Sequence, residues 1–315
     1  MKKNFSNTLR VILQDTVRET ESARSKESFK RIKQMAKDAP PVLPFKVPLA
    51  RGAALIAEIK EKSPSQGTML LENVRQAVSA YKQSRAVKAI SVLTNRKHFG
   101  QGIETLRRVK RECASKPVLR KDFITDEYQV YQSRAYGADA ILLMANILER
   151  DELDRLSSIA FELGMDVLFE THRASELQEI PSTANIIGIN CRNFESTGGF
   201  KLAKVLRQWL WANSDKTVNT RRFDYAEQLP AHIIRIAESG VTPKNCAKIL
   251  SMGFHAALVG TSLLMDTRGV REALGDFEKA MVGLKPLRSD SSTVRRSARP
   301  ALVQAMLPPE FETTS

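Results

Sequence analysis

From residue 54 onward the chain repeats one pattern eight times: a short apolar run, then a stretch of helical length with one apolar face. This alternation constrains the fold more than any other feature. Apolar runs without polar alternation suit strands covered on both faces, and strands joined by helices pair in parallel. The runs are Ala54 to Lys60 (ALIAEIK), Ala89 to Thr94 (AISVLT), Pro117 to Lys121 (PVLRK), Ala140 to Met144 (AILLM), Asp166 to Glu170 (DVLFE), Ile186 to Asn190 (IIGIN), Ile233 to Ser239 (IIRIAES) and Ala256 to Gly260 (AALVG). Gly137, Gly164 and Gly253 each stand between a helical pattern and the next strand, where the left-handed conformation that ends a helix is open to glycine. Thr242 and Pro243 supply an N-cap and a first-turn proline for a helix over Pro243 to Met252.

Eight such units either close into a barrel or spread into a doubly wound open sheet. A dinucleotide-binding open sheet favours a GxGxxG turn after its first strand. The chain reads EKSPSQG there, a polar loop in which Pro64 and Gly67 break any helix. The expectation is therefore an α/β fold, a (β/α)8 TIM barrel. A barrel uses roughly 250 residues, so the 315 residues divide into one barrel and two extensions. Residues 1–48 are expected to form an N-terminal helical extension, with one or two helices over 7–45 and a linker, APPVLPFKVP, whose prolines cannot continue a helix. Residues 49–279 are the barrel catalytic domain. Residues 280–315, rich in Ser, Arg and Pro, are expected to be a disordered basic tail.

Composition narrows the function classes. No apolar run approaches the roughly 20 residues needed to cross a bilayer, and acids interrupt the N-terminal MKKNFSNTLRVILQDTVRET before a secretory apolar segment develops. A cytoplasmic protein without a membrane partner is expected. Cys113, Cys191 and Cys246 have no CxxC spacing and read as reduced, mostly buried thiols; His98, His172, His232 and His255 have no ligand spacing, so no metal is expected. The net charge of +14 is concentrated in Lys26 to Lys37 and around Arg295, Arg296 and Arg299, without aromatic interleaving. It reads as a solvated basic surface that attracts anionic substrates, with no nucleic-acid partner. The expected assembly is a monomer or weak homo-oligomer.

In a barrel of this kind the site lies at the C-terminal ends of the strands. The first strand ends Glu58-Ile59-Lys60, and positions two apart share a face, so both charges can enter the barrel mouth. Arg120 and Lys121 end the third strand, Glu170 the fifth, Asn190 the sixth with Arg192 two beyond, and Glu238 and Ser239 the seventh. A charge at the end of an apolar strand is costly unless paired or used, and neighbouring lysines and glutamates shift one another's proton affinity. The loops after strands seven and eight commonly hold phosphate, and Gly240 and Gly260-Thr261-Ser262 stand there.

The segments IAEIKEKSPSQG, SVLTNRKHFGQG, PVLRKDFITDEYQVYQSRAYGADAILLMANIL, LGMDVLFETH, IIGINCRNF, IAESGV and AALVGTSLL resemble, in order, the blocks of indole-3-glycerol-phosphate synthase, from about residue 8 to about residue 272. The resemblance implies decarboxylating ring closure of 1-(2-carboxyphenylamino)-1-deoxyribulose 5-phosphate, without cofactor. It implies Lys121 as general acid, Glu170 as proton-transfer partner in dehydration, Lys60 holding or protonating the reacting groups, and Glu58 tuning the lysine charge. Asn190, Arg192 and Ser63 would position substrate, Glu238 would orient its neighbours, and Phe99 and Phe123 would wall the aromatic ring. Ser239, Gly240, Gly260 and Thr261 would take the phosphate. Asn95 departs from the family's usual aspartate, Ile103 from its serine, and Cys191 from its frequent asparagine; the segment FESTGGFKLAKVLRQWLWANSDKTVNTRRFDYAEQLP is also altered. Two other readings remain: a related phosphoribosyl-anthranilate isomerase-type barrel, which would lack the Glu-x-Lys-x-x-Ser-Pro-Ser and Leu-Arg-Lys-Asp-Phe blocks, and a barrel retained as an interaction module through its basic tail.

Overall fold

The computed structural model describes residues 1–2, 6–192 and 218–284. The tail beyond residue 284, with Arg295, Arg296 and Arg299, and residues 193–217 of the altered segment lie outside the described residues. The apolar runs form eight parallel strands: β1 (Ala54–Ile59), β2 (Val87–Leu93), β3 (Val118–Lys121), β4 (Ala140–Met144), β5 (Asp166–Thr171), β6 (Ile186–Asn190), β7 (Ile234–Glu238) and β8 (Ala256–Val259). Each pairs with its sequence neighbours and β8 closes on β1, giving a complete barrel. The register Asn190↔Glu238 levels the ends of β6 and β7, and Met144↔Glu170 does so for β4 and β5. Strand-end side chains therefore meet at one mouth.

Nearly every strand residue is buried, because side chains of one parity fill the barrel interior and those of the other meet the helices. Each buried Ile, Leu or Val contributes roughly 1.5–3 kcal/mol over exposure. The helices begin and end where local chemistry dictates. Thr242 and Asn245 form a reciprocal capping box around Pro243 at the start of the helix Pro243–Ser251. Gly137, Gly164 and Gly253 have φ of 93°, 79° and 92°, the left-handed values that would strain any side chain.

The N-terminal region forms two helices, α1 (Asn7–Lys26) and α2 (Phe29–Lys37). The linker expected to be non-helical ends in a short helix instead, α3 (Lys46–Ala50), in which Pro48 is tolerated because first-turn N–H groups have no intrahelical acceptor. The loop after β1 also departs from the expectation of irregular structure: Lys62–Ser63 and Gly67–Thr68 pair as a small antiparallel ribbon. Polar contacts seat α1 over the barrel mouth. Asp15 binds Lys97 Nζ at 2.7 Å and His98 Nε2 at 2.9 Å, Arg24 binds Asp126 at 2.6 Å, and Asn95 donates to the Thr16 hydroxyl at 3.0 Å. Asn95, where the family has aspartate, thus serves as donor to α1 and as N-cap acceptor for the His98 N–H. The cations of the Lys26 to Lys37 run are partly absorbed locally, since Lys33 lies 4.2 Å from the Phe29 ring centroid and 4.9 Å from that of Tyr131. Cys113, Cys191 and Cys246 are free and buried.

Candidate active site

A cavity of about 400 Å³ opens at the C-terminal ends of the strands. Its wall includes Glu58, Lys60, Ser63, Phe99, Lys121, Phe123, Glu170, Asn190, Arg192, Glu238, Ser239, Gly240, Gly260 and Thr261, so the structure brings every sequence-derived site residue to one chamber. Barrel parity explains the convergence. Glu58 and Lys60 share a face of β1, and Leu142 and Met144 share the corresponding face of β4, where they supply apolar floor.

Parity also corrects one expectation. Arg120 is adjacent to Lys121 and therefore points outward, away from the chamber. It is buried against the helix Glu127–Ala135, donating to Gln129 O at 3.0 Å, Gln132 Oε1 at 3.1 Å and Ser133 Oγ at 3.1 Å, and it binds Asp122 Oδ2 at 2.9 Å. Asp122 in turn accepts from Thr94 Oγ1 at 2.6 Å and from the Phe123 N–H at 2.9 Å, which fixes the backbone just after Lys121. Ser262 lines the chamber, and its hydroxyl donates to Val241 O at 2.8 Å, which ties the loops after β7 and β8 together.

At the centre, the Lys121 ammonium lies 2.9 Å from Glu170 Oε2 and 3.1 Å from Glu238 Oε2. Beside it, Lys60 and Glu58 form a buried pair at 2.5 Å. Burial would lower the Lys121 proton affinity, but Glu170, Glu238 and Glu58 outweigh it and keep the amine protonated. Burial raises the Glu58 carboxyl, and Lys60 and Lys121 reverse that effect and hold it ionised. Two acids close to one cation repel each other and titrate as a pair. Burial and repulsion from Glu170 push the Glu238 carboxyl up to about 8 despite Lys121, whereas Lys121 overcomes burial at Glu170 and holds it below its usual range. Of the two, Glu170 is the stronger acid and Glu238 holds a proton more readily.

Two glycines make room for these acids. A Cβ on Gly188 would overlap Glu238 Oε1, and one on Gly260 would overlap Glu58 Oε1. Gly260 thus has a packing role in addition to its place in the loop. Phe99 and Phe123 stack with centroids 6.4 Å apart and planes 25° from parallel, forming a flat apolar wall. Arg192 binds the Ser65 hydroxyl across the mouth and its own N–H donates to Asn190 Oδ1 at 2.9 Å. At the opposite end, Ser239 and Gly240 both adopt left-handed backbone, φ 66° and 75°, and line the chamber with Thr242, Gly260 and Thr261. Sequence reasoning missed Thr8, which reaches the wall from the first turn of α1, and Asp122, Ser65 and Gln66. The signal for Asp122 was its neighbour, Lys121; nothing local marks Thr8, which arrives through the packing of α1.

The family model described as indole-3-glycerol phosphate synthase matches residues 9–202. An indole-3-glycerol phosphate synthase of Kineococcus radiotolerans is 34% identical over 87% of this chain and 87% of its own length. The chain belongs to the indole-3-glycerol phosphate synthase family. A family member from Neisseria meningitidis serogroup C is 36% identical over 82% of this chain and 95% of its own. A crystal structure of 3-hexulose-6-phosphate synthase shares the barrel, with a TM-score of 0.52, 15% identity and coverage of 72% of this chain and 99% of that one. That likeness is one of fold. Among the described residues no group of His, Cys, Asp and Glu has the arrangement of a metal site, and no helix is long and apolar enough to cross a membrane.

Proposed function

We propose that this barrel closes the indole ring in tryptophan biosynthesis, converting 1-(2-carboxyphenylamino)-1-deoxyribulose 5-phosphate to indole-3-glycerol phosphate, carbon dioxide and water. The observation that carries the proposal is the protonated Lys121 held between Glu170 and Glu238 in a chamber with an aromatic wall at one side and glycine-bearing loops at another. Lys60, Lys121 and Arg192 face Glu58 and Glu170, Glu238 holds its proton more readily than an ordinary carboxyl, and Asp122 is paired with Arg120. The excess positive charge suits a substrate bearing both a carboxylate and a phosphate.

The carboxyl-bearing ring carbon attacks the ribulose carbonyl carbon while Lys121 donates a proton to the carbonyl oxygen, making a hydroxyl. The bond to the carboxylate then breaks, carbon dioxide leaves, and its electron pair returns to the ring. In dehydration, the nitrogen lone pair expels the new hydroxyl as water on a proton supplied by Lys60. Glu170 accepts the proton released as the second ring double bond forms. Glu58 holds the Lys60 ammonium in place and Glu238 orients Lys121. Asn190, Arg192 and Ser63 hold the substrate's carboxylate end, Phe99 and Phe123 its ring, and Ser239, Gly240, Gly260 and Thr261 its phosphate through backbone and hydroxyl donors.

On this reading residues 49–279 are the catalytic unit and residues 1–48 an extension that seals its mouth. The protein works in the cytoplasm, without cofactor, as a monomer or weak homo-oligomer, and has no nucleic-acid or membrane partner. Substrate labelled at its carboxyl carbon tests the reaction class: one labelled carbon dioxide per turnover is expected. Turnover of a phosphorylated aminosugar without label release would instead favour the isomerase reading.

A further inference from the structure

His172 stands two residues beyond Glu170, on the same side of the chain as β5 ends, and is not part of the chamber wall. His172 is 5% exposed, and its Nε2 lies 3.5 Å from Glu170 Oε1, an oxygen that makes no hydrogen bond among the described residues. The other oxygen of that carboxylate, Oε2, accepts from Lys121 at 2.9 Å. Glu170 is thus held on its cavity side by an ammonium and backed on the other by an imidazole. The backbone of His172 is anchored, because its N–H donates to Glu176 Oε2 at 2.6 Å, from the short 3-10 helix Ala174–Glu179. Among the described residues, Glu170, Glu176, Arg222 and Lys121 are charged groups that act on the imidazole, from β5, from that 3-10 helix, from the helix Thr220–Gln228 and from β3.

A carboxylate that must receive a proton in one direction needs its second oxygen fixed, or it rotates about its last bond and loses the near-attack geometry. We propose that His172 is a positioning residue for the reaction: as a neutral imidazole with its proton on Nε2, it directs that N–H at Glu170 Oε1 and sets both the rotamer and the basicity of the acceptor. Burial, with Arg222 and Lys121, lowers the proton affinity of the ring against the pull of Glu170 and Glu176, so the neutral form prevails at pH 7. A positively charged imidazole there would hold Glu170 too firmly anionic to accept a proton. An apolar side chain would leave the oxygen without a dipole and raise the Glu170 carboxyl, which Lys121, Glu238 and the imidazole jointly control.

The inference rests on the ring-closure reading, and its test has one arm that needs no turnover. In the unaltered protein, nitrogen NMR of the histidine side chains, with His172→Gln used to assign the signal, is expected to show a neutral Nε2–H imidazole from pH 6 to pH 8. A charged ring or the Nδ1–H tautomer over that range overturns the proposal, whatever the enzyme does with substrate. In the second arm, His172→Leu is expected to lower kcat by at least about tenfold with KM within about twofold, and to move the acidic limb of the kcat profile to higher pH. His172→Gln, whose amide N–H reaches toward the Nε2 position, is expected to recover most of kcat and the original limb. A folded His172→Leu protein with unchanged kcat and an unmoved limb contradicts the assignment. If His172→Leu does not fold, the NMR arm and the His172→Gln profile decide. Failure of the unaltered protein to turn over the substrate at all defeats the ring-closure reading, while leaving the NMR result to judge the His172–Glu170 contact.

Discussion

Gly188 on β6 leaves the space that the carboxylate of Glu238 on β7 occupies: a Cβ at residue 188 would overlap Glu238 Oε1. The two strands are in register one pair from their ends, Gly188↔Ile236 and Asn190↔Glu238, so the smallest side chain of one strand faces the reach of the longest acid of the next. Gly188→Ala is therefore expected to push Glu238 toward Lys121 or Leu168 and to cut kcat at least about tenfold, while thermal stability falls by about 1–3 kcal/mol for overpacking. Steady-state kinetics beside thermal unfolding checks it, and unaltered kcat would show that the Glu238 position is not critical.

In the proposed mechanism Lys121 and Glu170 carry the proton-transfer roles. Lys121→Met and Glu170→Gln are each expected to lower kcat at least about 100-fold, the scale of a lost general acid or base. Near-normal turnover in either variant, measured on folded protein, removes that residue's assigned role.

Arg120 tests the line between catalysis and architecture. Its guanidinium is buried and binds Asp122, Thr94 and three acceptors on the helix Glu127–Ala135. Removing one partner of a buried ion pair strands the other, at a cost of about 3–5 kcal/mol. Arg120→Met is thus expected to lower the chemical-denaturation midpoint markedly, without the specific loss of chemistry expected at Lys121.

His255 gives a pH prediction away from the chamber. The residue is half-buried, Nδ1 accepts the Arg235 backbone N–H at 3.2 Å, and desolvation together with Arg235 lowers its proton affinity to about 4 from the ordinary value of 6.5. The unfolded chain binds the proton more readily, so stability is retained above pH 6.5 and is lost as the pH falls from about 6.5 toward about 4. His255→Asn, which keeps an acceptor, is expected to flatten the dependence of the unfolding midpoint on pH in that window. An unchanged slope would contradict the assignment.

Much of this arrangement was legible from residues alone. The apolar runs marked the eight strands to within two residues at nearly every end, because strands buried on both faces leave a strong signal. Reading each strand at its last positions found Glu58, Lys60, Lys121, Glu170, Asn190 and Glu238, since parity and the barrel's geometry carry such residues to one mouth. Arg120 was misread for a definable reason: one-residue steps along a strand change faces, and its outward partners are supplied by a helix that begins seven residues later. Gly188 and His172 were hidden because their effect depends on contacts across strands and behind the carboxylate, which periodicity does not encode. Thr8 was hidden because α1 reaches the mouth by long-range pairs such as Asp15 with His98. The helix Lys46–Ala50 was missed because proline was weighed as a breaker without regard to its position in the first turn.

The most direct measurement is indole fluorescence after purified protein is mixed with 1-(2-carboxyphenylamino)-1-deoxyribulose 5-phosphate. A chamber in which Lys121 is held protonated between Glu170 and Glu238 predicts a steady rise in indole emission, linear in protein concentration, abolished by Lys121→Met. Folded, unaltered protein that leaves the emission flat under saturating substrate would contradict the account.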